Sequence, residues 1–503
     1  MGVYSTSMKR KSIWNSIKEH KYIIGLLLIS IIVISGYTFF IELKSNDILW
    51  NLSNIYKMYN GGKIYNDCNV ITTPIFFCIG LLLFKFLGAN FVTFGIYNVI
   101  IFTIFEYLVY KLFYTLNSNQ KKSFIEAILM LIYILVIIPT GANYNILVLD
   151  FVILGILANI KLENSKWVPF IQGFICFMVV FTKQNIGVFY ILALISYNLY
   201  SGIESKNIKY HIIITIKEML AFVITSIVLL LTMCFYGNLN QFINFAILGI
   251  GEFAAYNLSS TIFTIIPEIF TVIFMILMGI ITLKILDIDK EKRKNLIILT
   301  IFGIAMMIYM YPIFNLYHLV LANTIIAIMC IYWVDLILEK IKINKKINIV
   351  LYWVFIIVIT VLIGKSLYNI YSICEVSDKN DWVYKGIYIS EETNNKIKTI
   401  CNYIEDRKKN KIDVKIISYK ALLYMTPLKM NNREFDLPLY GNLGKEGYRE
   451  LINQIANFEN TEILITKDEE DKCAQEPIEV RKYIIDNLKK IGEIEEFAIY
   501  KIP

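Results

Sequence analysis

Charge is scarce in this chain. Asp, Glu, Lys and Arg make up 18% of its 503 residues, against about a quarter in an ordinary soluble domain. Hydrophobic residues account for 57% and mean hydropathy is +0.57, so a soluble globular protein is excluded. Histidine occurs three times, as His20, His211 and His318. The eight cysteines form no CxxC and no Cys/His pair at metal spacing, which excludes the common zinc and redox motifs. The polar C-terminal stretch has no Gly-rich phosphate loop, so no nucleotide cradle is encoded there. No small-residue cleavage site follows the first apolar run, "YIIGLLLISIIVISGYTFFIEL". That run is also too long for a signal-peptide core, and it reads as a retained helix.

What is present is a series of apolar runs of about bilayer-spanning length. Candidate helices cover 21–43, 74–88, 90–116, 121–140, 143–162, 167–182, 186–201, 211–236, 262–287, 293–312, 317–340 and 347–370. The net charge of +8 is split: residues 374–503 carry 21 Lys and Arg against 24 Asp and Glu, leaving 28 against 17 for the rest. The basic excess therefore belongs to the membrane part, where it sets orientation, and nucleic acid is not needed to explain it. Basic clusters stand at the N-terminus and near 120, 163, 207, 290 and 342, whereas 238–260 has no Lys or Arg. All basic clusters fall on the cytoplasmic side only if one early segment does not cross. The segment 74–88 is short, opens with Pro74 and carries Lys85, so it is expected to lie along the outer interface. About eleven spans remain, and the C-terminus is then extracytoplasmic.

The expected organisation is a cytoplasmic basic N-terminus (1–20), a polytopic α-helical membrane domain (21–373) with a long first outer loop (44–89), and a C-terminal domain (374–503). In that last part apolar runs shrink to strand length ("VKIIS", "TEILIT", "EFAIYKI") between amphipathic helical stretches, which predicts a small α/β domain. Cys78, Cys176, Cys234 and Cys330 lie in apolar runs and read as small core residues. Cys68, Cys374, Cys401 and Cys473 would face outward.

Polar groups near a membrane are costly and are the candidates for function. Asp47, in "KSNDILW", directly follows the first helix, and Asp67, in "IYNDCNV", lies on the same outer loop. A carboxylate pair there suits base catalysis or cation binding, and ordinary solvated loop acids are the bland alternative. Lys183, in "VVFTKQNIGVFY", occupies an outer-face turn and would meet a lipid phosphate as a point charge; snorkelling is the plain alternative. His318 follows "MYPIFNLY" among aromatic residues and would donate to a phosphate or sugar oxygen. Asp150, about seven residues inside a span, would pair with another helix or help shape the cavity, and Glu106, Glu218 and Glu268 read as structural or interfacial. The stretch 237–260, glycine-studded and charged only at Glu252, reads as interfacial helices or a flap over a site.

Together these features resemble the integral-membrane glycosyltransferases of the GT-C superfamily, in the group of protein O-mannosyltransferases and the lipid A aminoarabinose transferase. The resemblance covers the layout of residues 21 to about 370. In that group an acidic residue follows the first span, matched by Asp47. A Gly and an aromatic-x-Asp then precede a proline that opens a juxtamembrane helix, matched in "GGKIYNDCNVITTPIFF" by Gly61, Tyr65, Asp67 and Pro74. Many bacterial members have a lysine in a "TKQN"-like turn, matched by Lys183, and a His after a Tyr-Pro segment, matched by His318. Two departures stand: Asp47 is followed by Ile48 where the family often has Glu, and Thr73-Pro74 replaces paired prolines.

The resemblance implies an inverting enzyme of a bacterial cell membrane that moves a sugar from a polyprenyl-phosphate donor to a hydroxyl of a glycan, lipid or protein acceptor. Lys183 and His318 would hold the donor phosphate, and Asp47 and Asp67 would supply the base. Tyr65, Asn145, Gln184, Asn185 and Tyr317 would line the substrate cavity. Two carboxylates could hold a divalent cation, but no full ligand set is visible, so the sequence leaves the cofactor open. The rivals are a surface-polysaccharide polymerase or ligase, which usually rests on outer-loop arginines, and a transporter or flippase, which usually shows internal repeats. A scaffold would leave Lys183 and the first loop unexplained.

Overall fold

The computed structural model describes residues 2–39, 46–141, 143–163, 165–257, 288–313, 315–341, 383–387, 389–418, 420–429, 442–467 and 477–502, with scattered positions between 271 and 277 and between 354 and 368. The long helices follow the apolar runs: α1 (Gly2–Phe39), α4 (Phe91–Asn117), α6 (Tyr144–Lys161), α8 (Gln184–Glu204), α9 (Ile208–Phe235) and α12 (Lys290–Met306). Local chemistry sets their ends. The Asn90 side chain accepts the Thr93 N–H at 3.2 Å, Asn119 accepts from Lys122, and Asp289 caps α12 through Lys292, each satisfying one orphan donor of a first turn. Along α9, Ile212, Ile216, Leu220, Val223, Ile227 and Leu231 stay exposed. An apolar stripe of that length on one helix is a lipid-facing surface.

Among the described residues six helices are long and apolar enough to cross a membrane, or seven if a bent pair is one span. That is fewer than the eleven expected. Two expected spans, 262–287 and 347–370, lie largely outside the described residues. Two others are shortened by turn chemistry. The run at 121–140 gives α5 (Gln120–Ile134), which passes into a 3-10 turn at Ile138–Thr140 containing Pro139 and followed by Gly141 at φ 72°. The run at 167–182 gives α7 (Val168–Val180), only 13 residues with a proline in its first turn. The run at 317–340 breaks by 54° between α13 (Leu316–Ala322) and α14 (Thr324–Ile341), at Asn323, whose side chain donates to Leu319 O. Helix α3 (Ile75–Leu87) starts at Pro74 and has 13 residues. Its length of roughly 20 Å is below the ~30 Å hydrocarbon core.

Within the expected first loop (44–89), residues 46–59 form a helix that no apolar run announces, α2 (Asn46–Tyr59). Three of its buried side chains are anchored to distant backbone: Trp50 Nε1 and Asn54 Nδ2 both donate to Asn69 O, and Asn51 Nδ2 donates to Gly141 O at 2.8 Å. A Cβ on Gly141 would come within 2.2 Å of Ile48. This glycine therefore lets the first turn of α2 rest on the α5–α6 connection. The stretch after α9 is also helical, as α10 (Leu239–Phe242), a π-helical turn (Ile243–Leu248) and α11 (Gly249–Asn257).

The C-terminal part has four strands, β1 (Asp413–Ile417), β2 (Thr461–Thr466), β3 (Lys489–Ile494) and β4 (Phe497–Lys501), in the order β1-β2-β4-β3. β1 and β2 are parallel, with Val414 opposite Glu462, and the other pairs are antiparallel. Helices α15 (Glu391–Lys409), α16 (Ala421–Met425), α17 (Tyr448–Ala456) and α18 (Ile478–Asn487) connect or cover them. The amphipathic pattern of "VRKYIIDNLKKI" predicts a single helix. The chain instead turns at Leu488 into β3, an exposed edge strand whose charges hide the alternation. Tyr384, Ile400 and Leu422 belong to the same hydrophobic core as α2 and α4, while the other sheet face has a small core of its own around Leu451 and Ile463. The C-terminal part is thus packed onto the end of the helical bundle that carries α2 and the start of α4.

Candidate functional site

A cavity of about 240 Å³ lies between α2, the α7–α8 turn, α11 and the Tyr311–His318 segment. Asp47 and Trp50 enter from α2, Lys183, Gln184 and Asn185 from the turn, and Tyr311, Pro312, Ile313 and His318 from the segment after α12. Ile71, Thr72, Tyr144, Ile250, Phe253 and Asn442 complete the wall. Hydrogen bonds hold the first loop against the turn: Thr73 Oγ1 donates to Val180 O at 2.9 Å, and Ile75 N–H donates to Phe181 O at 2.9 Å. Gln184 Nε2 donates to both Ile71 O and Ala246 O, tying the loop and the π-helical turn together.

Lys183 stands at the N-cap of α8 in extended backbone. Its Nζ donates to Asn145 Oδ1 at 2.7 Å and lies 4.9 Å from the Tyr309 ring centroid and 5.6 Å from that of Tyr144. The cation is thereby positioned by one amide and two ring faces. Burial pushes its pKa down to about 7, against a smaller upward pull from Asp47. Asp47 is pushed up to about 6 by burial, while the Lys183 ammonium pulls it down. Desolvation outweighs the mutual attraction in both groups, so each is poised near neutrality. Among the described residues the Asp47 carboxylate accepts no hydrogen bond, and its lone pairs remain available at the cavity wall.

His318 sits in the first turn of α13, where Asn315 Oδ1 accepts its backbone N–H at 3.0 Å and also faces its Nδ1 at 2.8 Å. An amide oxygen only accepts, so Nδ1 carries the proton and Nε2 of the neutral ring is an acceptor. The expected donation from His318 to a phosphate thus holds only for the imidazolium.

Three of the four expected chemical residues, Asp47, Lys183 and His318, share the cavity; Asp67 does not line it. Asp67 Oδ2 accepts the Lys63 N–H at 2.7 Å while its own N–H donates to Lys63 O, which closes a turn. Tyr65 is buried at φ 66°, donates to Thr72 O and packs edge-on against Phe242. It braces the wall from behind. Gln184 and Asn185 line the cavity, Asn145 stands behind Lys183 as its partner, and Tyr317 is replaced at the wall by Tyr311. Trp50, Tyr144, Phe253 and Asn442 were missed. Trp50 follows Asp47 by three residues, a spacing that signals a shared face only once α2 is known to be helical. Glu106 and Asp150 are buried and do not line the cavity.

Among the described residues no group of three His, Cys, Asp or Glu stands together as a metal cluster. The cavity offers one carboxylate, Asp47, beside the His318 imidazole, the Lys183 ammonium and neutral oxygens of Thr72, Gln184, Asn185 and Asn442. A single anionic ligand next to a fixed cation is a poor match for a divalent cation. Cys68 is buried, while Cys78 and Cys234, expected in a core, are exposed.

No family model matches the chain, and no curated protein matches it in sequence. Its structure is similar to that of an oligosaccharyltransferase from Archaeoglobus fulgidus, solved in complex with zinc and sulfate. The TM-score is 0.52 and the identity 11%, with 88% of this chain and 68% of the archaeal chain covered. At that identity the likeness is one of fold, and at that level it agrees with the resemblance read from the sequence.

Proposed function

We propose that a chain with the fold of a GT-C membrane glycosyltransferase uses the Asp47–Lys183 cavity to transfer a sugar from a polyprenyl-phosphate donor to an acceptor hydroxyl at the outer face of a membrane. The observation that carries this reading is the convergence of Asp47, Lys183 and His318, remote in sequence, on one cavity. The cavity volume of about 240 Å³ is below the usual range of about 300–1,000 Å³ for ligand pockets, which favours a single sugar ring over an oligosaccharide.

In this mechanism Asp47 takes the proton of the acceptor hydroxyl as its oxygen attacks the anomeric carbon from the face opposite the phosphate. The bond between that carbon and the phosphate oxygen breaks, and its electron pair leaves with the lipid phosphate. The configuration inverts. Lys183, pre-oriented by Asn145 and the two tyrosine rings, meets the charge that grows on the phosphate, which is where a fixed cation lowers the barrier most. Neutral His318 accepts a hydrogen bond from a sugar hydroxyl through Nε2. The acceptor is a glycan, lipid or protein hydroxyl, the N-terminus is cytoplasmic and the C-terminal part extracytoplasmic.

The test is to incubate the purified protein with radiolabelled polyprenyl-phosphate sugars and follow their consumption. Wild type is expected to consume one of them and Asp47→Asn none. Consumption at the wild-type rate by Asp47→Asn would remove the base from this scheme, and no consumption of any such donor by wild type would remove the donor class.

A further inference from the structure

A second cavity, of about 390 Å³, lies in the C-terminal part beside β1, walled by α15, the turn after it and the residue Lys429. Four lysines converge on it, Lys408, Lys411, Lys415 and Lys429, against one acid, Asp413. Asp413 Oδ2 is 3.1 Å from Lys415 Nζ, so that pair is internally balanced. Among the described residues, Lys408, Lys411 and Lys429 make no ion pair, and all three are exposed. A cation with a structural task on the same helix is handled differently: Arg407 pairs at 3.1 Å with the buried Glu462.

The backbone adds an independent observation. The end of α15 is a Schellman turn, with Lys411 N–H donating to Lys408 O and Ile412 N–H donating to Arg407 O. Its left-handed position, φ 60°, is held by Lys411, where glycine is the ordinary and least strained residue. Lys429 is also left-handed, at φ 54°. Two of the three unpaired cations thus occupy positions where a side chain is disfavoured. Lysines on an edge strand also deter strand addition, but Lys408 and Lys429 come from outside β1 and serve no such purpose.

We infer that this lysine pocket is a binding site for a phosphate-bearing ligand. Three unbalanced ammonium groups repel one another, and a single carboxylate would leave two of them unmatched. A phosphate monoester carries about −1.5 to −2 at neutral pH and three acceptor oxygens, which meets point-charge donors from several directions. The phosphate can come from a soluble phosphorylated glycan or from a lipid whose headgroup is itself a phosphate monoester, as in phosphatidic acid. The site is independent of how the Asp47–Lys183 cavity is read.

The test uses full-length protein in an uncharged detergent, titrated calorimetrically with glycerol phosphate, with short-chain phosphatidic acid and with uncharged glucose. Wild type is expected to bind a phosphate probe, and the Lys408→Gln/Lys411→Gln/Lys429→Gln variant to bind it roughly tenfold or more weakly, with high salt weakening wild type in the same direction. Tighter binding of the lipid probe assigns the headgroup as source; tighter binding of glycerol phosphate assigns a soluble ligand. Lys411→Gly separates binding from folding, because it relieves the left-handed strain and should weaken phosphate while holding or raising Tm. Equal affinity of wild type and the triple variant for every phosphate probe, or no binding by wild type, overturns the site.

Discussion

At the scale of the residue, Asp47 and Lys183 share a cavity whose desolvation holds both near neutrality. In the proposed mechanism Asp47 must be ionised to act as base and Lys183 protonated to meet phosphate. With pKa values of about 6 and about 7, kcat/KM is expected to be bell-shaped, falling below pH 6 and above pH 7. Lys183→Arg, which cannot deprotonate in this range, should remove the alkaline limb from whatever activity it retains. Lys183→Met should lower kcat by about 10²–10³, the usual cost of losing one donor to developing charge. Asp67→Asn should keep most of the activity, because Asp67 closes a turn and does not face the cavity. The raised pKa of Asp47 also has a stability sign. The folded state holds this proton more tightly than the unfolded chain, so the favourable contribution is lost as pH rises from about 4 through 6. Asp47→Asn is therefore expected to raise Tm at pH 7.5, with the gain vanishing near pH 4; a lower Tm at pH 7.5 would contradict the burial argument.

At the scale of the element, glycines set how closely helices approach. A Cβ on Gly173 of α7 would meet Glu218 O of α9 at 2.4 Å, so the two backbones touch there as small-residue packing allows. Gly173→Leu should separate α7 from α9 and destabilise by about 1–3 kcal/mol, read as a lower Tm in detergent, and it should also disturb the turn that carries Lys183. A second close approach joins the C-terminal part to the π-helical turn. Lys445 N–H donates to Asn244 Oδ1 at 3.0 Å, and a Cβ on Gly249 would stand 3.1 Å from Gly444 Cα. Because Asn442 lines the cavity from this same loop, Asn244→Ala should raise KM for the acceptor more than it lowers kcat. An unchanged KM would detach this loop from substrate binding.

At the scale of the whole molecule, one hydrophobic core runs from the helical bundle into the C-terminal part through residues such as Tyr384 and Leu422. The Tyr384 hydroxyl donates to the carbonyls of Leu422 and Leu423, and Phe91 N–H, at the start of α4, donates to Val383 O. The C-terminal part is therefore fixed on the side of the membrane where the cavity opens. The proposed orientation puts that side outside the cell. Lys409→Cys, exposed at the end of α15, should then react with a membrane-impermeant maleimide added to intact cells. Labelling only after lysis would reverse the topology.

The sequence by itself determined that this is a helical membrane protein with a small α/β C-terminal part, because bilayer-length apolar runs and strand-length runs are local properties. It also marked Asp47, Lys183 and His318, since polar groups stand out against an apolar background. It could not place Asp67, Tyr65 or Tyr317, because adjacency in the chain does not say which side chains face a shared cavity. Helix α2 escaped notice for a related reason: Asn51 and Asn54 are buried with backbone partners from distant loops, so its polar residues do not mark a solvent face. Asn442 and the lysine pocket were decided by tertiary structure alone. A cavity wall and a cluster of like charges both depend on segments far apart in sequence meeting in space, and no local periodicity records that.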